Sequence, residues 1–131
     1  MASRTAAGKP RERAGFTLIE LLVVLAILAL LMTLAVPRFF GSMDVSKETV
    51  LKENLHITRS VIDRFYGDQG RYPASLAELV ERRYLRAVPV DPMTDSAATW
   101  IVIAPDQGEG VFDLRSGARG HTRAGIAFVQ L

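Results

Sequence analysis

From Phe16 to Val36 the chain runs for 21 residues with Glu20 as its only charge and Thr17 and Thr33 as its only other polar side chains. As a helix rising ~1.5 Å per residue, such a run is about 32 Å long, close to the ~30 Å hydrocarbon core of a bilayer. It is long enough to span one. A cleaved secretory signal has a shorter apolar region, about 7–15 residues, that ends at a small-x-small site. The best late candidate for such a site is the imperfect Thr33-Leu34-Ala35, so a retained membrane helix is expected.

Charge orients this helix. The chain has 16 Lys and Arg against 14 Asp and Glu, but Arg4, Lys9, Arg11 and Arg13 face only Glu12 within residues 1–15. That local balance of +3 leaves −1 for the rest of a chain whose total is +2. The positive-inside bias therefore puts the N-terminus in the cytoplasm and the segment after Pro37 in the periplasm or an equivalent space. The basic excess sits in the tail, with no aromatic-interleaved basic stripe after it, so no nucleic-acid partner is expected. The chain contains no cysteine, which excludes disulfides and thiolate metal sites.

A carboxylate in a membrane helix costs a few kcal/mol at the bilayer centre and less near an end, and by default it marks a functional position. The plainer reading is a side chain at headgroup level. Between Arg13 and Arg38 there is no Lys, Arg or His, so the run offers Glu20 no cation. A cut between Gly15 and Phe16 would create one. The new α-amino group lies four residues before Glu20, on the same helical face, with a reference pKa of about 8.

The basic leader, the stretch Gly15-Phe16-Thr17-Leu18-Ile19-Glu20-Leu21-Leu22-Val23-Val24 and Pro37 resemble the class III signal of type IV pilins and type II secretion pseudopilins. The resemblance implies that a membrane prepilin peptidase cuts after Gly15 and methylates Phe16. It also implies that Glu20 recruits each subunit into a helical filament through a neighbour's amine.

Beyond the run, Pro37 lacks an N–H and is expected to end or kink the helix. The pattern then turns amphipathic, with Leu51, Leu55, Thr58, Ile62 and Phe65 recurring at helical spacing among charged residues. One face is expected to pack on a domain until residues 67–70 break the helix. Ser75-Leu76-Ala77-Glu78 reads as a capping box opening a short helix to about Arg83. Short strands are expected over 98–104, 110–114 and 125–131, with a turn at Asp106–Gly110 and an exposed glycine-rich loop from Arg115 to Arg123.

Tyr72-Pro73, Leu76 to Leu79 and Pro89-Val90-Asp91-Pro92 together resemble the G-type pseudopilins of type II secretion. The fold expected is α+β and type IV pilin-like, a long N-terminal helix packed on a small antiparallel sheet. Its parts are a cleaved basic leader (1–15), a transmembrane helix (16–36), an amphipathic stalk (37–66) and a periplasmic head (67–131).

His56 and His121 belong to no zinc or triad spacing. The G-type resemblance brings up calcium, which that family commonly binds in a late loop of the form D-x-x-S-x-G-A-D-G. The matching text, Asp113-Leu114-Arg115-Ser116-Gly117-Ala118-Arg119-Gly120, is one residue short and has Arg119 where the second aspartate would fall. A guanidinium supplies no oxygen ligand and repels the ion. Asp91, Asp95 and Asp113 remain as candidate cation ligands, although turn and cap hydrogen bonding accounts for them more simply. No cofactor is expected.

The resemblance implies a non-enzymatic subunit, single-pass in the bacterial inner membrane, with its C-terminal domain in the periplasm. Its partners would be further copies of itself, other pseudopilins, the prepilin peptidase, a platform protein, an assembly ATPase and the lipid bilayer. The short filament would help export folded proteins across the outer membrane. Two alternatives stand beside this reading: a type IV pilin or competence-type pseudopilin, and a membrane-tethered periplasmic binding domain that never polymerises.

Overall fold

The computed structural model describes residues 1–3, 8 and 14–131, so the basic residues Arg4, Lys9, Arg11 and Arg13 of the expected leader lie outside the described residues. The chain divides into two compact units, 1–39 and 40–131. One helix, α1 (Leu18–Gln69), contributes to both.

Thr17 starts α1: its Oγ1 accepts a hydrogen bond from the Glu20 N–H at 3.2 Å, which satisfies one of the orphan donors of the first turn. Pro37 lies inside the helix, which continues through it. Proline removes one main-chain bond, and the long helical stretches on either side supply the rest. The helix likewise runs through Gly67 and stops only at Gly70, whose φ of 69° glycine adopts without strain.

In the second unit α1 buries Leu51, Leu55, Thr58, Ile62 and Phe65, the stripe expected from the spacing. Thr58 turns its hydroxyl back to the Asn54 carbonyl at 2.7 Å, so a polar residue enters the core satisfied. Against this stripe pack Leu76 and Leu79 of α2 (Leu76–Glu81), Trp100, Val111, Leu114, Ala118 and Phe128. Each fully buried aliphatic or aromatic side chain contributes roughly 1.5–3 kcal/mol.

The Ser75 hydroxyl accepts from the Glu78 N–H at 3.3 Å, as a capping box requires, but the Glu78 carboxylate reaches one residue further back, to the Ala74 N–H at 2.7 Å. After α2 the chain reverses through Arg83 at φ 62°, with the Tyr84 N–H on the Leu79 carbonyl and the Arg83 N–H on that of Val80. This turn delivers Tyr84 edge-on to Phe65, with ring centroids 5.2 Å apart.

The sheet is smaller than expected. Strands β1 (Ile101–Ile103) and β2 (Asp113–Arg115) pair antiparallel, with Val102 opposite Leu114, and Asp106–Gly110 lies in their connection as expected. The third expected strand, 125–131, is instead a 3₁₀ helix at Phe128–Gln130, preceded by a single bridge between His121 and Ala127. Phe128 is turned into the core, and alternation alone does not distinguish these two ways of burying an aromatic. Nor is the connection from Arg115 to Arg123 simply exposed: Ser116, Ala118 and Thr122 are buried in it.

Candidate functional site

In the N-terminal unit, Ala14 to Thr17 precede α1 and are exposed. A side chain added at Gly15 would meet nothing within 4 Å, so no crowding in the fold demands glycine there. Phe16 is 87 % exposed, and Phe16, Glu20, Leu21 and Val24 line one shallow depression on the helix surface.

Glu20 occupies the third position of α1, in the first turn. A carboxylate there faces the positive end of the helix dipole and is favourable by typically 0.3–1 kcal/mol. This favourable place in the first turn is separate from the ion-pair and headgroup readings of Glu20. The Thr17-x-x-Glu20 spacing, the same S/T-x-x-E pattern recognised at 75–78, was the available signal for it.

The apolar side chains from Leu18 to Val36 have no protein packed over them. Among the described residues α1 is the one helix long and apolar enough to cross a membrane. A row of leucines, valines and isoleucines left uncovered along such a helix fits a lipid surroundings.

The head places the three candidate cation ligands apart in function. Asp91 is fully buried; its Oδ1 accepts from the Met93 N–H at 2.8 Å and its Oδ2 from the Ser116 hydroxyl at 2.5 Å. Asp113 accepts from Arg59 Nε at 2.6 Å and from the Leu114 N–H at 2.7 Å. Asp95 is exposed, at φ 54° in a turn. Among the described residues no group of three or more His, Asp or Glu side chains is placed to hold a metal ion. Arg119 is exposed, and a guanidinium supplies no oxygen ligand. His56 and His121 are both exposed.

Two further residues organise this region and carried no local signal in the sequence. Arg59, on the edge of the α1 stripe, reaches Asp113, the Leu114 carbonyl and the Leu131 main-chain oxygen. Gly117 lets the late loop approach Thr99 so closely that a Cβ would lie 2.0 Å from the Thr99 carbonyl oxygen.

The family model described as "Prokaryotic N-terminal methylation motif" matches residues 10–36, a span that contains Gly15, Phe16 and Glu20. The chain is 34 % identical over 127 residues to the type II secretion system core protein G of Pseudomonas aeruginosa, covering 84 % of this chain and 87 % of that one. It is 30 % identical over 98 residues to the core protein G of Dickeya chrysanthemi, covering 63 % of this chain and 64 % of that one. The type IV major pilin protein PilA of Myxococcus xanthus is 40 % identical over 63 residues, which cover 48 % of this chain and 28 % of PilA. No solved structure matches significantly. Likeness to the pilin is confined to about half of this chain, whereas likeness to the secretion protein extends over most of both, and the chain belongs to the type II secretion system core protein G family.

Proposed function

We propose that this chain is a pseudopilin subunit that is cut after Gly15, methylated on Phe16 and assembled through Glu20 into a short periplasmic filament that helps export folded proteins. The observation that carries the proposal is the exposed Glu20 in a helix whose apolar stretch holds no cation, one turn from the bond whose cleavage would free an amine at Phe16. At ~4 Å and an effective dielectric near 20, an ammonium and a carboxylate attract by about 4 kcal/mol before desolvation. That is enough to select one axial register between neighbouring helices.

In this reading the work is mechanical and not catalytic. The N-terminus stays on the cytoplasmic side of the inner membrane, where the prepilin peptidase meets the exposed segment before α1. An assembly ATPase and a platform protein then drive subunits out of the bilayer into the filament. Membership of the core protein G family supports this reading over a pilus-forming or non-polymerising one.

The test is expression of the full chain and of Glu20→Ala beside the secretion machinery, with intact mass and filament fraction measured on both. Both should carry a methylated Phe16 at the N-terminus, and only the parent chain should enter filaments. Equal assembly of the Glu20→Ala chain, or an uncut parent chain beside an active peptidase, would reject the proposal.

A further inference from the structure

The late loop of the head is tied to α1 by a side chain that does what a bound cation would do. Arg59 presents Nε to Asp113 Oδ1 at 2.6 Å, and its Nη2 to the Leu114 carbonyl at 3.0 Å and the Leu131 main-chain oxygen at 2.6 Å. One carboxylate oxygen and two main-chain oxygens, drawn from β2 and from the end of the 3₁₀ segment, thus converge on one positive group. This is the kind of oxygen set, carboxylate plus carbonyl, that a hard divalent ion requires. Here the guanidinium holds it.

The other acid that a metal would need is also committed. Asp91 is fully buried, with one oxygen on the Met93 N–H and the other on the Ser116 hydroxyl. The same Ser116 oxygen accepts from the Ala118 N–H at 3.1 Å, so the loop's own main chain is fastened to Asp91 through Ser116. No buried side-chain polar atom among the described residues is left without a partner.

From this we infer that Arg59 is the resident cation of the head, and that the loop from Asp113 to Ala118 is ordered by Arg59 and Ser116 without a divalent metal. Arginine suits the task because its fork is planar and carries five donors. A calcium ion entering at Asp113 would have to displace the guanidinium and then face its charge.

The inference is tested by melting the full chain in detergent, followed by Trp100 fluorescence, in excess EDTA and in millimolar calcium chloride. Trp100 is the single tryptophan, 8 % exposed and bonded through Nε1 to the Pro89 carbonyl, so its emission reports the head. The parent chain is expected to melt at the same temperature in both solutions. Arg59→Gln is expected to lower that temperature by roughly 5–15 °C in EDTA, since charge-assisted hydrogen bonds to three acceptors are lost. Arg59→Lys, which keeps the charge without the fork, should fall between the two. A melting temperature of the parent chain that rises with calcium and drops with EDTA would overturn the inference. So would an Arg59→Gln chain as stable as the parent. Should Arg59→Gln fail to fold, the parent and Arg59→Lys measurements decide the matter, and neither depends on filament assembly.

Discussion

Ser116 donates its hydroxyl hydrogen to Asp91 Oδ2 at 2.5 Å, and both residues are completely buried. Twenty-five positions apart in sequence, they join the Pro89-Val90-Asp91-Pro92 loop to the segment that follows β2. Removing the hydroxyl leaves a buried carboxylate oxygen and the Ala118 N–H without their partner, and an unsatisfied buried polar group costs about 1–3 kcal/mol. Ser116→Ala is therefore expected to destabilise the head by at least that range in urea denaturation. Ser116→Thr, which keeps the hydroxyl, tests whether the hydrogen bond or the volume matters.

The neighbouring residue is constrained by contact instead of polarity. A Cβ at Gly117 would lie 2.0 Å from the Thr99 carbonyl oxygen, a main-chain atom that cannot swing aside. Gly117→Ala is expected to cost about 1–3 kcal/mol or more as the two backbones are forced apart. Gly67, inside α1 with nothing within 4 Å of an added Cβ, is the internal control. There alanine is expected to stabilise by about 0.5–1 kcal/mol, because glycine in a helix gives up more chain entropy on folding. Opposite signs for the two substitutions in one denaturation series are the outcome expected.

Acid should loosen the start of α2. The Arg71 guanidinium forks onto Glu78 at 2.6 and 3.1 Å, and with the Ala74 N–H it holds the Glu78 carboxyl down at about 2. A carboxyl whose pKa is lowered by folding contributes stability that is fully present above its unfolded value of about 4.3 and disappears as pH falls toward 2. Melting temperatures taken from pH 6 to pH 2 should therefore separate the parent from Glu78→Gln at the upper end, and the two curves should converge at the lower. Exposure of Arg71 to solvent keeps the difference modest, and added salt should reduce it.

How far the sequence reveals this molecule depends on how local each cause is. The α1 stripe from Leu51 to Phe65 was legible because helical spacing is a property of neighbouring residues, and the Ser75 cap was legible for the same reason. The Gly15 to Glu20 motif was legible as a written pattern, although Thr17 as the helix cap went unread within it. Arg59 was not legible: its three acceptors lie 54 to 72 positions away, and an arginine on a helix edge looks like any solvated charge. Residues 125–131 misled because an apolar segment that buries one aromatic looks alike as strand or as 3₁₀ helix. The late loop reads as exposed because it is glycine-rich and basic, whereas Gly117 serves close packing.

Arg83 holds a position that suits glycine better. It follows α2 at φ 62°, and the bonds from the Tyr84 N–H to the Leu79 carbonyl and from the Arg83 N–H to the Val80 carbonyl form a Schellman turn. A residue with a Cβ pays roughly 1–2 kcal/mol for the left-handed region, which glycine largely avoids. The turn places Tyr84, whose ring meets Phe65 and whose hydroxyl donates to Asp68 Oδ2 at 2.8 Å. Arg83→Gly is therefore expected to stabilise the head by about 0.5–1 kcal/mol, the gain being reduced by glycine's greater freedom in the unfolded chain. Arg83→Val should do the reverse, since a β-branched side chain tolerates positive φ least. A urea series in which glycine is the most stable and valine the least checks the conformation of this one residue. Equal stability of all three would mean that the left-handed turn is not maintained in solution.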